Sequence, residues 1–342
     1  MTHSIALNFE DGVTRFIDAR DGETIADASY RLGINIPLDC RDGACGTCKC
    51  RVESGRYDGG FYIEDALTEE EAAEGLALAC QVRPKTDLVV AIPAASTACK
   101  TRPQSFEVAL RSVARLSETS IAFALDAPTD LAFLPGQYVS VRVPGTEQRR
   151  AYSFSSAPGA EALSFLVRDI PGGLMSTWLR EAATPGAMLE ITGPSGSFYL
   201  RDVQRPLLLL AGGTGLAPFL SMLGRLAGSG CAQPVHLVYG VTNDADLVEI
   251  SRLEDYAARI PGFTFATTVA AEGSTHPRRG YVTAHVEPAH LNGGDVDIYL
   301  CGPPPMVDAV RGWLAGQGVT PAAFHYEKFS PSAPIDAPRR AA

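Results

Sequence analysis

The sequence predicts a multidomain chain that combines α+β and α/β architecture, and three changes of rhythm along it carry that prediction. Hydrophobic alternation around a glycine turn opens residues 1–97. Short strands punctuated by Gly and Pro fill residues 104–203, and apolar runs alternating with helical patterns fill residues 205–330. Length agrees, since 342 residues at about 150 per domain give two or three domains. Residues 331–342, rich in Pro and Ala, read as a frayed tail.

In the first segment Ile5, Leu7 and Phe9 alternate up to Asp11-Gly12, and residues 13–17 return, which is a β-hairpin signal. Residues 24–32 read as a short helix stopped by Gly33. Thr68 with Glu71 three residues on is a capping box for a second helix, and residues 88–92 close the segment as a strand. Residues 94–105, small and polar, read as a linker with few cross-contacts. In the second segment, strands at 106–110, 121–125, 138–143, 152–155, 163–168 and 188–192, with one helix at 174–182, suggest a small antiparallel barrel. In the third, runs at 207–211, 235–239, 263–269, 298–301 and 323–326 suggest a parallel sheet. The uncharged stretch 206–224 holds four glycines and two prolines, so it reads as strand, turn and helix start rather than a membrane span.

Hydrophobic residues at 46% against 20% charged supply enough apolar material for buried cores and exclude disorder for the main body. A net charge of -10 argues against a nucleic-acid or anionic-membrane partner. Residues 1–10 lack the features of a signal peptide. Four of the eight cysteines crowd into residues 40–50, which in such a chain reads as metal chemistry in the cytoplasm rather than disulfides.

That cluster reads Cys40-Arg-Asp-Gly-Ala-Cys45-Gly-Thr-Cys48, with Cys80 following after 31 intervening residues. A C-x4-C-x2-C run with a distant fourth cysteine is the plant-type 2Fe-2S ligation pattern, and Gly43, Ala44 and Gly46 supply backbone able to curl around a compact cluster. A structural zinc site would use paired knuckles on both sides, whereas Cys80 stands alone. Cys50, Cys99 and Cys231 read as spare thiols.

In the middle segment, Arg150-Ala-Tyr152-Ser153 is followed about twenty residues later by Gly172-Gly173-Leu-Met175-Ser176. Each alone could be an ordinary strand or helix start. Together they suggest an FAD site, with Arg150 for a pyrophosphate, the Tyr152 ring for the flavin, the Ser153 hydroxyl for flavin N5, and backbone donors of the turn for the same diphosphate. In the third segment, Gly212-Gly213-Thr214-Gly215-Leu-Ala-Pro218 departs from G-x-G-x-x-G but keeps its mechanics, glycines letting backbone approach a dinucleotide at a helix start. Cys301-Gly302-Pro303-Pro-Pro-Met306 repeats a strand end opening a helix, which would put Cys301 beside a nicotinamide; the plainer reading is a small residue ending a buried strand. Asp244 and Asp246, past the second strand, favour NADH over NADPH, because acidic groups there repel a 2′-phosphate and no Arg or Lys lies between Tyr239 and Glu249. The alternative is a solvated acidic loop. The six histidines show no metal spacing, and His285 and His290 read as surface or capping residues.

With these motifs in order, the sequence resembles the ferredoxin-NAD(P)H reductase superfamily, in the branch with an N-terminal plant-type ferredoxin domain. The strings Phe9-Glu-Asp-Gly-Val-Thr-Arg-Phe16, Tyr62-Ile-Glu-Asp-Ala-Leu-Thr68, Gly196-Ser-Phe-Tyr-Leu-Arg-Asp202, Leu291-Asn-Gly-Gly294 and Glu327-Lys-Phe-Ser330 make it most similar to the benzoate 1,2-dioxygenase reductase group. The resemblance implies a β-grasp plant-type ferredoxin domain at 1–97, an antiparallel β-barrel FAD domain at 104–203 and a parallel α/β NAD-binding domain at 205–330. It implies that Cys40, Cys45, Cys48 and Cys80 hold the cluster and that Arg150, Tyr152, Ser153, Gly173, Met175 and Ser176 bind FAD. NADH would be bound by Gly212, Gly213, Thr214, Gly215, Pro218, Asp244, Gly302, Pro303 and Met306. Ser153, Cys301, Glu327 and Phe329 would be the catalytic group. The last two match the family's C-terminal acidic–x–aromatic element, although thirteen residues follow Phe329 here. The implied activity is an NADH-dependent reductase passing electrons through FAD and the cluster to the terminal oxygenase of an aromatic-acid dioxygenase, as a cytoplasmic monomer. The rivals are the reductase of a multicomponent monooxygenase, a respiratory NADH–quinone reductase subunit, and a zinc- and nucleotide-binding regulator.

Overall fold

The computed structural model describes residues 2–38, 43–44, 46–64, 66–99 and 104–329. Cys40, Cys45 and the tail therefore lie outside the described residues. The chain divides into two compact units, one made of residues 1–107, 128–139 and 190–201, the other of 108–127, 140–189 and 202–342.

Alternation in the first residues does what it predicts. Strand β1 (His3–Phe9) buries Ile5, Leu7 and Phe9 on one face and pairs antiparallel with β2 (Thr14–Ala19) through the turn at Gly12, whose φ of 75° suits glycine. Helix α1 (Ile25–Arg31) starts where the Thr24 hydroxyl accepts the Asp27 N–H at 3.1 Å. β3 (Lys49–Ser54) follows, a strand that the cysteine-dominated sequence pattern conceals, and then β4 (Tyr57–Asp58). The expected capping box opens α2 (Glu69–Ala73), with Thr68 and Glu71 exchanging bonds of 3.0 and 3.2 Å. β5 (Leu76–Leu78), β6 (Arg83–Pro84) and β7 (Leu88–Ile92) complete the segment. The resulting sheet has the order β2-β1-β7-β3-β5, with β1 and β7 parallel, and α1 packs its buried Ile25, Ala26 and Ala28 into the same core.

β8 (Gln104–Arg115), β9 (Ser120–Asp126), β10 (Tyr138–Arg142), β11 (Arg149–Ser153), β12 (Ala162–Arg168) and β13 (Met188–Ser195) form one sheet ordered β11-β10-β13-β8-β9-β12. A bridge between Phe154 and Phe165 ties the β11 end of that order to β12, so the antiparallel barrel is nearly closed. Inside lie Phe123 and Phe165, stacked at 4.8 Å, with Phe154 at 5.6 Å from Phe165. Helix α3 (Leu174–Glu181) lies between β12 and β13.

The third segment forms a fully parallel sheet. β14 (Leu207–Gly212), β15 (Val235–Val241), β16 (Phe263–Val269), β17 (Asp297–Gly302) and β18 (Ala323–Lys328) have the order β16-β15-β14-β17-β18. They are crossed by α4 (Ala217–Ser229), α5 (Ile250–Arg259), the short α6 (Pro288–Leu291) and α7 (Pro304–Gly316). The stretch 206–224 is β14, a 3-10 turn and the start of α4, and among the described residues no helix is long and apolar enough to cross a membrane. Because the chain steps from β14 outward to β16 and then returns to β17 on the other side, β14 and β17 flank a topological switch point, where open α/β sheets leave a crevice beyond their strand ends.

Two expectations change. The first barrel strand runs to Arg115, longer than the apolar pattern indicates, because a register shift between Leu110 and Ser112 lets it continue past a bulge. Residues 94–99 are not a loose linker: Ala94, Ser96 and Cys99 are buried, and Ser96 N–H and Oγ both bond Asp11, at 2.8 and 2.7 Å.

Phe165 is fully buried at the centre of the barrel's aromatic cluster. Phe165→Ala is expected to destabilise the barrel by about 3–5 kcal/mol. The check is a lower midpoint of thermal unfolding followed by near-ultraviolet circular dichroism.

Candidate functional site

The site grows from the ends of β14 and β17. Ala211 pairs with Cys301, and Cys301 with Glu327 on β18, so three strand ends arrive side by side. Their approach is tight, and at Gly215 the obstacle to a side chain is backbone. A Cβ on Gly212 would lie 2.4 Å from the Met306 sulfur, one on Gly302 2.7 Å from it, and one on Gly215 2.4 Å from the Cys301 carbonyl oxygen. Gly213 differs: its φ is 54°, and a Cβ there would face open space. The chain then turns into α4 with Pro218 in its first turn, and α7 likewise begins on prolines after Pro303. Two strand ends thus present bare backbone and helix N-termini to one crevice, a cradle that suits a dinucleotide diphosphate.

Cys301 is completely buried. Burial pushes its thiol well above the ordinary range, and the Glu327 carboxylate adds to the shift, so the sulfur is held protonated. Glu327 Oε2 in turn accepts the Ser153 hydroxyl at 3.2 Å, joining the last sheet strand to the last residue of β11. The following residue but one, Phe329, is half-buried and donates its N–H to Gly302 O at 2.9 Å.

On the barrel side, Tyr152 sets its ring edge-on to Phe123 at 5.8 Å and 85°. Desolvation raises its phenol above the usual range, while the Arg150 charge pulls the other way. The Arg150 guanidinium donates to its neighbour Arg149 O at 2.8 Å and more weakly to Gln148 at 3.4 Å. Gly173 caps α3, whose first turn carries no acidic residue, so the first backbone N–H groups of the helix are available to an anion. The Ser176 hydroxyl is already spent on the turn, reaching Ile170 O at 3.1 Å and Gly173 O at 3.2 Å, and Met175 is buried beneath it. A Cβ on Gly173 would strike Ser176 Oγ at 2.6 Å, which explains the second glycine of the pair.

The two candidate discriminators of the nucleotide part company. Asp246 is a structural residue: one oxygen accepts the Thr119 hydroxyl, and the other accepts Asn243 N and Nδ2 at 3.2 and 3.1 Å. Asp244 is exposed, with one oxygen accepting Ser274 Oγ at 2.9 Å. The segment after β16 returns to this sheet edge, where Val269 N–H bonds Arg278 O at 3.1 Å, and so brings Arg278 and Arg279 to it. Sequence reading missed these arginines because they lie far past the acidic loop along the chain. It also missed Thr119 and Arg252, whose side chains fasten the barrel to the parallel sheet through Asp246 and Ser155 O. No local signal marks them. His290 does cap its helix, accepting the Glu287 N–H at 3.1 Å, but it also stacks on His236 at 3.7 Å, and burial with that neighbour lowers the His236 pKa to about 4.

Of the four expected cluster ligands, Cys40 and Cys45 lie outside the described residues. Cys48 and Cys80 are buried, and Ala79 N–H donates to Cys48 O at 3.0 Å, which brings their two chain segments together. Gln81 Nε2 lies 3.6 Å from the Cys80 sulfur. Gly43 and Gly46 have φ of 82° and 73°, and a Cβ on Gly43 would lie 2.3 Å from Phe61 O. Soft sulfur donors with an amide beside one of them, on a loop pressed too close for side chains, fit an iron–sulfur centre.

Comparison with known proteins finds three family models along the chain. The model of the 2Fe-2S iron-sulfur cluster binding domain matches residues 8–85, the oxidoreductase FAD-binding domain residues 107–199 and the oxidoreductase NAD-binding domain residues 209–312. The chain is 57% identical over 336 residues to the toluate 1,2-dioxygenase electron transfer component of Pseudomonas putida, covering 97% of this chain and 100% of that one. The chain belongs to the ferredoxin reductase family. A second relative, the 2-halobenzoate 1,2-dioxygenase electron transfer component of Burkholderia cepacia, is 52% identical over 97% of this chain and 99% of its own. Among solved structures, the Amycolatopsis cytochrome P450 reductase GcoB superposes with a TM-score of 0.72 at 34% identity, covering 96% of this reductase and 100% of that chain. The reductase is thus an oxidoreductase of three modules, with FAD, NADH and a 2Fe-2S centre as cofactors.

Ser153→Ala removes the hydroxyl that joins barrel and C-terminal strand. Loss of a hydrogen bond to a charged group, about 1.5–3 kcal/mol, corresponds to roughly a tenfold to hundredfold lower kcat. Steady-state reduction of ferricyanide by NADH, at unchanged flavin content, measures it.

Proposed function

We propose that this reductase is the electron transfer component of a benzoate-type 1,2-dioxygenase system, carrying electrons from NADH to a terminal oxygenase. The observation that carries the reading is that two relatives matched end to end are named for toluate and 2-halobenzoate, both ring-substituted benzoates. The aromatic acid itself has no need to bind here. Bound FAD supplies the exchange between the paired electrons of NADH and the single-electron traffic of a 2Fe-2S centre.

The chain's own residues divide the remaining work. Gly212, Gly213, Thr214, Gly215 and Pro218 admit the NADH diphosphate to backbone donors, with Gly302, Pro303 and Met306 forming the opposite wall. Arg150 and the Gly173–Ser176 turn receive the FAD diphosphate, the turn through backbone N–H groups because the Ser176 hydroxyl is engaged. Tyr152 offers its ring, and Met175 supports the turn from below. Ser153 donates its one proton to Glu327, so its oxygen meets the flavin edge as an acceptor unless the hydroxyl rotates away. Glu327 fixes that choice. Cys301, held protonated, offers a small uncharged surface to the nicotinamide pocket, and Phe329 closes the same edge. Cys40, Cys45, Cys48 and Cys80 hold the cluster. We place the reductase in the cytoplasm as a monomer that binds neither nucleic acid nor membrane.

Reconstitution tests the function. Mixed with the terminal oxygenase of a toluate or benzoate dioxygenase, the reductase should support NADH-dependent consumption of the aromatic acid. Cys45→Ser should abolish that turnover yet leave NADH-to-ferricyanide reduction intact. Turnover with a monooxygenase hydroxylase but not with the dioxygenase component would assign it to the other system.

NADH is expected to exceed NADPH in kcat/KM by about tenfold or more, because the Asp244 charge opposes a 2′-phosphate. Asp244→Asn should narrow the ratio. Equal use of both nucleotides by the unaltered reductase would mean that Arg278 and Arg279 outweigh Asp244.

A further inference from the structure

Two residues to which the sequence reading gave no role, Tyr199 and Arg201, gather a dense set of bonds in the first compact unit. Tyr199, buried just past the last barrel strand, accepts the Ala95 N–H on its hydroxyl at 2.6 Å. Arg201 lies with its guanidinium 3.9 Å above the Tyr199 ring. It donates to Ser197 O at 2.8 Å and Tyr199 O at 2.7 Å on its own side. From the other side of its fork it donates to both Glu10 oxygens at 3.2–3.3 Å and to Pro93 O at 3.2 Å. Ser197 to Arg201 continue the segment matched as FAD-binding, whereas Glu10 and residues 93–96 belong to the cluster-bearing segment and its exit strand.

We propose that Tyr199 and Arg201 are positioning residues of the electron-transfer reaction: together they clasp the end of the flavin-binding barrel to the cluster-bearing domain, and transfer to the cluster depends on that clasp. The inference rests on the three-module reading above and alters no chemical step, since NADH remains the reductant and the cluster the acceptor.

Its parts are chosen for rigidity. A planar guanidinium with five N–H groups can satisfy a carboxylate, two local carbonyls and a distant carbonyl at once, and an ammonium cannot. The aromatic face beneath it limits its freedom. Pro93 offers a carbonyl on a residue of fixed φ, and Ala95 presents its N–H because neighbouring Ser96 is pinned by Asp11 within the cluster-bearing domain itself. The Asp11 carboxyl is held below its usual range by those Ser96 bonds. A cavity of about 20 Å³ beside the clasp, with room for one water, is lined from the cluster-bearing side by Asn35 and Cys99 and from the barrel side by Gln137 and Ser195. Both sides therefore meet over side chains as well as over the clasp.

The two adjacent amides supply an internal control. In the full-length, cofactor-loaded reductase, Tyr199→Phe deletes only the acceptor of the Ala95 N–H. Hydrogen exchange at Ala95 should quicken about tenfold, while the Ser96 amide, bonded to Asp11, should be unchanged. Stopped-flow bleaching of the cluster by NADH should slow in Tyr199→Phe and more in Arg201→Gln, with Arg201→Lys between. NADH-to-ferricyanide reduction and flavin content should stay at the unaltered level. Glu10→Gln, which leaves both clasp residues in place, gives a milder version of the same split if Arg201→Gln folds poorly. Unchanged exchange at Ala95 would overturn the clasp. Faster exchange with an unaltered ratio of cluster bleaching to ferricyanide reduction would reduce it to a stabilising contact and overturn its role in transfer. Failure of the unaltered reductase to bleach its cluster with NADH would instead overturn the three-module reading, leaving the exchange result to judge the clasp alone.

Discussion

The close approach of β14 and β17 is the constraint on which the nucleotide side of this reductase depends. Two parallel strands can deliver their ends to one crevice only if the residues turning away from them occupy almost no space. Gly212, Gly215 and Gly302 meet that demand; at Gly215 the obstacle, the Cys301 carbonyl 2.4 Å from a Cβ, is backbone and leaves no room for relaxation, whereas at Gly212 and Gly302 it is the Met306 sulfur. The same glycines expose the N–H groups that an anionic ligand requires. Packing and binding therefore select the same residue type at these positions, for separate reasons. Gly213, which meets nothing within 4 Å, is the one whose role is conformational, its φ being 54°.

From that crevice a short chain of polar contacts leads to the barrel. Cys301 sits between Ala211 and Glu327 in strand register, and Glu327 accepts the Ser153 proton. A buried thiol beside a carboxylate has two reasons to stay neutral. The arrangement keeps the Cys301 thiol from adding a negative charge beside the Glu327 carboxyl. Thr119–Asp246 and Arg252–Ser155 then brace the same two modules at a distance from the crevice.

Much of this was legible in the sequence, for identifiable reasons. Period-2 alternation set out β1, and the Thr68/Glu71 pair set out α2, because both signals are local. The glycine motifs were legible because close approach restricts residue type severely. β3 was not, since its residues follow directly on the cysteine loop and only Cys50 among them is buried from both sides of the pattern. The clasp residues Tyr199 and Arg201 were quoted only as part of a resembling string. Their partners lie 104 to 191 positions away, and nothing in a window of ten residues distinguishes an aromatic that accepts a distant N–H from one that merely fills a core.

Asp246 shows how residue type alone misleads at a nucleotide loop. An acidic residue two positions from Asp244 satisfies the expectation for ribose recognition equally well by sequence. In the fold its carboxylate closes a capping box with Asn243 and receives Thr119, and the Tyr239 hydroxyl bonds its carbonyl at 3.2 Å. Those bonds orient the loop that carries Asp244 and take up the Asp246 carboxylate within the fold. Arg278 and Arg279 are carried to the end of β16 by the return of the chain after that strand. Charge at this sheet edge is thus assembled from separate segments, and residue type in one loop does not reveal which carboxylate is already engaged within the fold.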